Sequence, residues 1–378
     1  MTERPQDQER THVNAAAHAG EDPVLLSTEG RTGRITLNRP RALNSLTHAM
    51  VLRMTEALTG WEEGVGDVTQ VLLTGAGERG LCAGGDIRAI HDDAKAGGTA
   101  SADFWRDEYR LNARIARTPL TYVAFMDGIV MGGGVGVSAH GGVRIVTERS
   151  RVAMPETGIG FVPDVGGTYL LSRAPGELGT HLALTGTAVG AADAVLCGLA
   201  DHFVPSGRLP ELAADLAGHD VHDVLPRYAQ PLPPGHLAGR RAWIDHCYAA
   251  DTVEEIVDRL LTHGDPAAKE AAETVLDRSP TALKVTLAAL RRARALDTLE
   301  QVLVQEYRVS CHSLSAPDLV EGIRAQVIDK DRTPRWTPAT LDAVTDAEVA
   351  RHFAPLGGRF GELDLDLGPG PDLGPGQR

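Results

Sequence analysis

The stretch MPETGIGFVPDVGG, residues 154–167, sets two carboxylates, Glu156 and Asp164, among residues that are otherwise small, apolar or turn-forming. Ionised side chains are rarely buried without a partner, because desolvation costs several kcal/mol. Such a pair is either solvated on a surface loop, or lines a pocket and does acid–base chemistry. In a shared apolar pocket the two acids repel, and at least one pKa rises toward neutrality. Eight residues turn an α-helix through about 800°, which would leave the acids about 80° apart. Pro155, Gly158, Gly160 and Pro163 exclude a continuous helix in any case. Both acids therefore come from turns, and spacing alone leaves both arrangements open.

Three other stretches carry chemistry-bearing patterns. LCAGGDIR (81–88) follows an apolar run; its glycines let backbone amides approach a ligand closely, and Asp86 can cap the helix that follows. MDGIVMGGGVGVS (126–138) puts three glycines between a strand and a helix. That pattern serves either ligand amides at a helix N-terminus or close strand–helix packing. It matches neither GxGxxG with a later acid nor GxxxxGK[ST], so dinucleotide and P-loop readings fail on spacing. WRDEYRLN (105–112) places Glu108 on a helix, where a glutamate is commonly solvated or paired, here with Arg106.

The elements that must hold these residues alternate. Val24–Ser27 and Arg34–Asn38 read as a hairpin. THAMVLRMTEALTGWEE has Met50, Leu52, Met54, Leu58 and Trp61 at roughly helical spacing, with Thr47 as a cap. DVTQVLLTG and TYVAFMDG read as buried strands, DFWRDEYRLNARIAR as a helix, and VRIVTERSRVAMPE as two short strands. This alternation over residues 24–205 predicts α/β architecture. The domain reading is a polar tail at 1–22, a core at 23–205, a linker at 206–236 around PLPPGH, a helical region at 237–355, and a Gly/Pro/Asp-rich tail at 356–378. Both tails are expected to be disordered. Ser279-Pro280 should start one C-terminal helix.

Composition narrows the function. The 378 residues carry 42% hydrophobic and 23% charged residues, as soluble globular chains do. A net charge of −14 argues against nucleic acid or an anionic membrane as the main partner. No apolar run is long enough to span a bilayer, and the N-terminal run reads as neither secretory signal nor transit peptide. Cys82, Cys197, Cys247 and Cys311 form no CxxC pair. That predicts no disulfide framework, no metal site and a cytoplasmic location.

Taken in order, NRPRALNSL, AGGDI, MGGGVG and PETGIGFVPDVGG resemble the enoyl-CoA hydratase/isomerase (crotonase) superfamily. DEYRLN, CAGGDIR, EYRVS and EGIRAQVIDKDRTPRW are similar to its 3-hydroxyisobutyryl-CoA hydrolase branch, over roughly residues 24–355. The resemblance implies a spiral of ββα turns with a helical C-terminal region, and hydrolysis of a 3-hydroxyacyl-CoA thioester in valine breakdown. It assigns the oxyanion-binding amides to Gly85 and Gly133 and the catalytic pair to Glu156 and Asp164. It adds Glu108, Asn44, Leu46, Ala83, Gly84 and Asp86 as substrate contacts, and offers Arg39, Arg41 and Lys284 as candidates for CoA phosphates. It implies no metal and no cofactor beyond the CoA of the substrate, and admits a homo-oligomer. One departure matters. Hydratases of the superfamily carry a second glutamate twenty residues before the position of Glu156, where this chain has Gly136. Its absence argues against the alternatives, an enoyl-CoA hydratase or isomerase. A non-catalytic acyl-CoA-binding protein is the alternative of another class, and the retained acid pair speaks against it.

Overall fold

The computed structural model describes residues 22–365. Strands β1 (Val24–Glu29), β2 (Thr32–Leu37), β3 (Gln70–Gly75), β4 (Gly80–Cys82), β5 (Thr121–Met126), β6 (Ile129–Met131), β7 (Val143–Val146), β8 (Arg151–Ala153) and β9 (His202–Phe203) form two sheets. The larger has the order β1-β2-β3-β5-β7-β9, antiparallel only between β1 and β2. The smaller is β4-β6-β8, parallel throughout. Each long central strand is followed by a short one in the other sheet, so β3–β4, β5–β6 and β7–β8 repeat as successive turns of a spiral. The near-continuous apolar character of β3 and β5 follows from burial on both faces of a parallel sheet.

Helices α1 (His48–Glu62), α2 (Ile87–Ala96), α3 (Ala100–Arg117) and α4 (Gly133–Gly136) lie between the strands. Next come α5 (Gly167–Ser172), α6 (Leu178–Thr185), α7 (Ala191–Leu196), α8 (Leu209–Asp215) and α9 (Val221–Val224). The C-terminal region adds α10 (Leu237–Tyr248), α11 (Val253–Thr262), α12 (Pro266–Leu276), α13 (Pro280–Ala293), α14 (Leu299–Ser313), α15 (Pro317–Ile323) and α16 (Asp346–Arg351). Thr47 accepts from Met50 N at the start of α1, and Ser279 from Ala282 N at the start of α13. None of these helices is long and apolar enough to cross a membrane.

Two expectations need correction. Residues 206–228 are not a linker, although PLPPGH at 231–236 carries neither helix nor strand. Leu209, Leu212, Ala213 and Leu216 recur at helical spacing and pack with Val221, Val224 and Tyr228 against Leu72, Val123, Phe125 and Ile145 of the larger sheet. Two prolines there open short helices: Pro210 sits in the first turn of α8 and Pro226 in a 3-10 turn. The tail from 356 is also ordered as far as residue 365. Leu363 is buried, Arg106 donates to the Phe360 carbonyl, and Glu362 accepts from Arg308. Residues 366–378, and 1–21 of the N-terminal tail, lie outside the described residues; Asp22 accepts from Val24 N and pairs with Arg53.

Candidate active site

The carboxyl ends of β4, β6 and β8 lie side by side, because the three strands pair in parallel. Crevices at such ends are common ligand sites in α/β folds. β4 delivers Ala83, Gly84 and Gly85; β6 delivers Gly132 and Gly133; β8 delivers Pro155 and Glu156. These segments line one side of a cavity of about 300 Å³. The other side comes from Phe104, Trp105 and Glu108 of α3, Phe161, Asp164, and Leu319 and Ile323 of α15. Trp105 and Phe161 stack with ring centroids 5.3 Å apart, a rigid apolar wall.

The glycine turns are shaped by contact. Gly84 and Gly132 have φ of +109° and +50°, a region that side chains with a Cβ rarely adopt. A Cβ on Gly133 would lie 2.6 Å from Glu108 Oε1 and 3.4 Å from Gly85 N; one on Gly132 would lie 2.9 Å from Glu156 Oε1. The two turns and the two glutamates are thus in close contact. The bridge between Leu46 and Gly85 runs from Leu46 N to Gly84 O and from Asp86 N to Leu46 O, so the Gly85 N–H is not spent on it. Around α4, Gly132 N donates to Ala153 O and Val135 N to Gly132 O, and the Gly133 N–H takes part in neither.

Three acids meet in this cavity. Glu108, Glu156 and Asp164 are 2%, 6% and 5% exposed, so Glu108 is neither solvated nor paired with Arg106. Arg106 instead binds Asp103, Tyr307 and the Phe360 carbonyl. Glu108 Oε1 and Glu156 Oε2 are buried with no hydrogen-bond partner among the described residues. Burial pushes both glutamates well above the usual carboxylate range, and the charge of Asp164 adds to it. Burial also pushes Asp164 up to about 7, while the Tyr109 hydroxyl, donating to its Oδ2 at 2.7 Å, pulls the other way. Such a group exchanges its proton near neutral pH, as a general acid or base must.

Val165, next to Asp164, has φ of +54°, strained for a β-branched residue by about 1–3 kcal/mol. Its carbonyl accepts from His140 Nε2 at 2.8 Å, and burial lowers the His140 pKa to about 4, so the ring is neutral. The Val165 side chain fills the space beside Gly136: a Cβ there would come 2.6 Å from Val165 Cβ and 3.0 Å from Asn112 Nδ2. The second hydratase acid is therefore absent, and its place is occupied.

Several residues assigned to substrate lie elsewhere. Asn44 is buried, with its side chain spent on Arg39 N and the carbonyls of Ala76 and Gly80, which pins its own turn. Leu46 is core, with a methyl group under Gly133. Asp86 makes no side-chain cap on α2 and pairs with Arg39, which also binds Ser45; none of the three lines the cavity. Lys284 is tied to Glu254 and the Val344 carbonyl beside a different cavity. Among the described residues no cluster of His, Cys, Asp or Glu could hold a metal, and the four cysteines are free and buried. Sequence reasoning missed Tyr109, Trp105 and Phe161, although the first two stand in the WRDEYRLN run it had quoted.

The comparisons with known proteins agree on this architecture. An enoyl-CoA hydratase/isomerase family profile matches residues 32–353. The chain is 42% identical over 357 residues to the mitochondrial 3-hydroxyisobutyryl-CoA hydrolase of Gallus gallus, covering 92% of this chain and 91% of that one. Among solved structures, a protein titled carnitinyl-CoA dehydratase from Mycobacterium thermoresistibile is 55% identical, with a TM-score of 0.89, covering 92% of this chain and all of the other. One titled enoyl-CoA hydratase from Rhodobacter sphaeroides is 45% identical, with a TM-score of 0.83, over 89% and 98%.

Proposed function

As the chain belongs to the enoyl-CoA hydratase/isomerase family, we propose that it hydrolyses a 3-hydroxyacyl-CoA thioester, with 3-hydroxyisobutyryl-CoA as its substrate. The hydrolase similar to it over nine-tenths of its length supports this substrate. The observation that carries the reaction type is the pairing of three buried acids with a Gly136 position closed by Val165.

In the proposed reaction the thioester oxygen sits against the amides of Gly85 and Gly133. Two preorganised donors stabilise the tetrahedral oxyanion, each worth about 3–4 kcal/mol in comparable sites. Glu156, ionised, takes a proton from water whose oxygen attacks the acyl carbon. Collapse of the oxyanion breaks the C–S bond, and the CoA sulfur takes that proton. Asp164, fixed by Tyr109, orients the water, and Glu108 accepts from the 3-hydroxyl of the acyl chain. A direct attack by Glu156 on the acyl carbon is the competing route. Trapping an acyl-enzyme with hydroxylamine in a single turnover would favour it.

The reading needs no resident metal or cofactor, so dialysis against a chelator should leave the rate unchanged. A second reading, water loss or addition at C2–C3, is raised by the names of the two structural relatives. Hydratases of the superfamily use a second acid for it, at the position where this chain has Gly136. Binding without turnover, the non-catalytic alternative, leaves the acid cluster without a task. The deciding test is incubation with 3-hydroxyisobutyryl-CoA, reading free thiol and the enoyl chromophore together. Thiol without enoyl product supports hydrolysis; enoyl product with the thioester intact overturns it. Cysteine usage supports a reducing compartment such as the cytoplasm, the relatives are named as mitochondrial, and cell fractionation distinguishes the two. A homo-oligomer is tested by light scattering on the purified chain.

A further inference from the structure

The EYRVS motif, residues 306–310, has no part in the chemistry above. It lies on α14, and its Glu306 and Ser310, four residues apart, share one helical face. Glu306 is 1% exposed. Its Oε2 accepts from Gly166 N at 2.6 Å, and its Oε1 from Thr168 N at 2.9 Å and Thr168 Oγ1 at 2.5 Å. These donors follow directly on Asp164 and the strained Val165. Ser310 Oγ meets the Tyr109 hydroxyl at 2.8 Å, and that hydroxyl donates to Asp164 Oδ2. One face of one helix therefore grips the turn from its C-terminal side through Glu306, and the carboxylate itself through Ser310 and Tyr109. Three donors converge on Glu306, and a carboxylate can serve them because it offers two acceptor oxygens and no donor. An amide offers only one acceptor and would face the remaining donors with its own N–H groups.

We propose that Glu306 is a positioning residue for the hydrolysis: it holds the 164–168 turn in the conformation that presents Asp164 to the cavity, with Ser310 and Tyr109 fixing the carboxylate from the other side. The inference rests on the proposed reaction, in which Asp164 takes part. Its sequence separation from that turn, 138 residues to Thr168 and 140 to Gly166, hides it from any local motif.

A double-mutant cycle in kcat tests the proposal, using Glu306→Gln, Asp164→Asn and the double variant. Small displacements of a reacting group cost up to about a hundredfold. Glu306→Gln alone should lower kcat by about ten- to a hundredfold and move KM by less than about threefold, since the acyl-CoA contacts are untouched. In the Asp164→Asn background the same change should cost less than about threefold. Equal losses in both backgrounds, or a loss carried by KM, would overturn the positioning role. Should Glu306→Gln fail to fold, Thr168→Val removes one donor and keeps the carboxylate; it should show a smaller kcat loss that likewise vanishes beside Asp164→Asn, and an additive loss would overturn the proposal. Wild-type protein that releases no thiol would remove the hydrolysis reading and this inference with it; an active wild type with an additive cycle removes this inference alone.

Discussion

Glu108, Glu156 and Asp164 share a cavity that water cannot fully screen, and that single fact sets their chemistry. Burial raises all three above the usual carboxylate range, Asp164 to about 7. Hydrolysis that needs Asp164 ionised should therefore quicken as pH rises through about 7, in a pH profile of kcat/KM. Stability has the opposite sign. With a folded pKa near 7 against an ordinary value of 3.8, Asp164 holds more protons folded than unfolded between those values, so raising the pH through that window destabilises the fold. Asp164→Asn removes the burden. It should melt above wild type at about pH 8, with the gap closing toward about pH 4, while hydrolysis slows but stays measurable. Equal melting temperatures at both pH values would show that Asp164 is not held protonated. At this scale the sequence was partly readable. Glu156 and Asp164 stood out because acids among glycines and prolines are unusual, but Glu108 in its own run looked like an ordinary helical glutamate, and only the family resemblance singled it out. The side chains of Asn44 and Asp86 bond within the protein, and a side chain that pins its own turn and one that meets a ligand look alike in a motif.

The elements contribute through where strands end. β4, β6 and β8 are three-residue strands, and their parallel pairing brings the two glycine turns and Glu156 to one place. The long strands β3 and β5 were legible as apolar runs. GLC and IVM were not, since three residues beside glycines carry no periodicity. The helices of 206–236 were hidden by prolines that start helices as readily as they end them. Gly136 tests the element scale. Because Val165 and Asn112 crowd it, Gly136→Glu should not create a hydratase. The variant should lose thiol release, through displacement of the Asp164 turn, and lower the melting temperature by an amount equivalent to about 1–3 kcal/mol. A stable variant that hydrates an enoyl-CoA would contradict the account of that position.

Across the whole molecule, the C-terminal helices close the site from outside the spiral. α14 packs on α3 and α5, α15 meets α2 and the Glu156 turn, and residues 356–365 run back over α3 and α14. Ending the chain at residue 355 would remove the buried Leu363 and strip Arg106 of the Phe360 carbonyl. That should lower the thermal midpoint and, because Arg106 also binds Tyr307, reduce kcat more than it raises KM; unchanged melting and activity would show that the segment is dispensable. The α/β class and helical C-terminal half were visible in periodicity, but the long-range closure was not, because residues two hundred positions apart share no local pattern. The central claim is that Glu156 drives cleavage of the C–S bond. Its most direct measurement is free-thiol release from 3-hydroxyisobutyryl-CoA by wild type and by Glu156→Gln, with the enoyl chromophore followed in the same cuvette. Rapid thiol release by wild type, a loss of at least about a hundredfold in the variant and no enoyl product is the predicted result. Enoyl-CoA formed with no thiol released, or equal thiol release by both proteins, would contradict it.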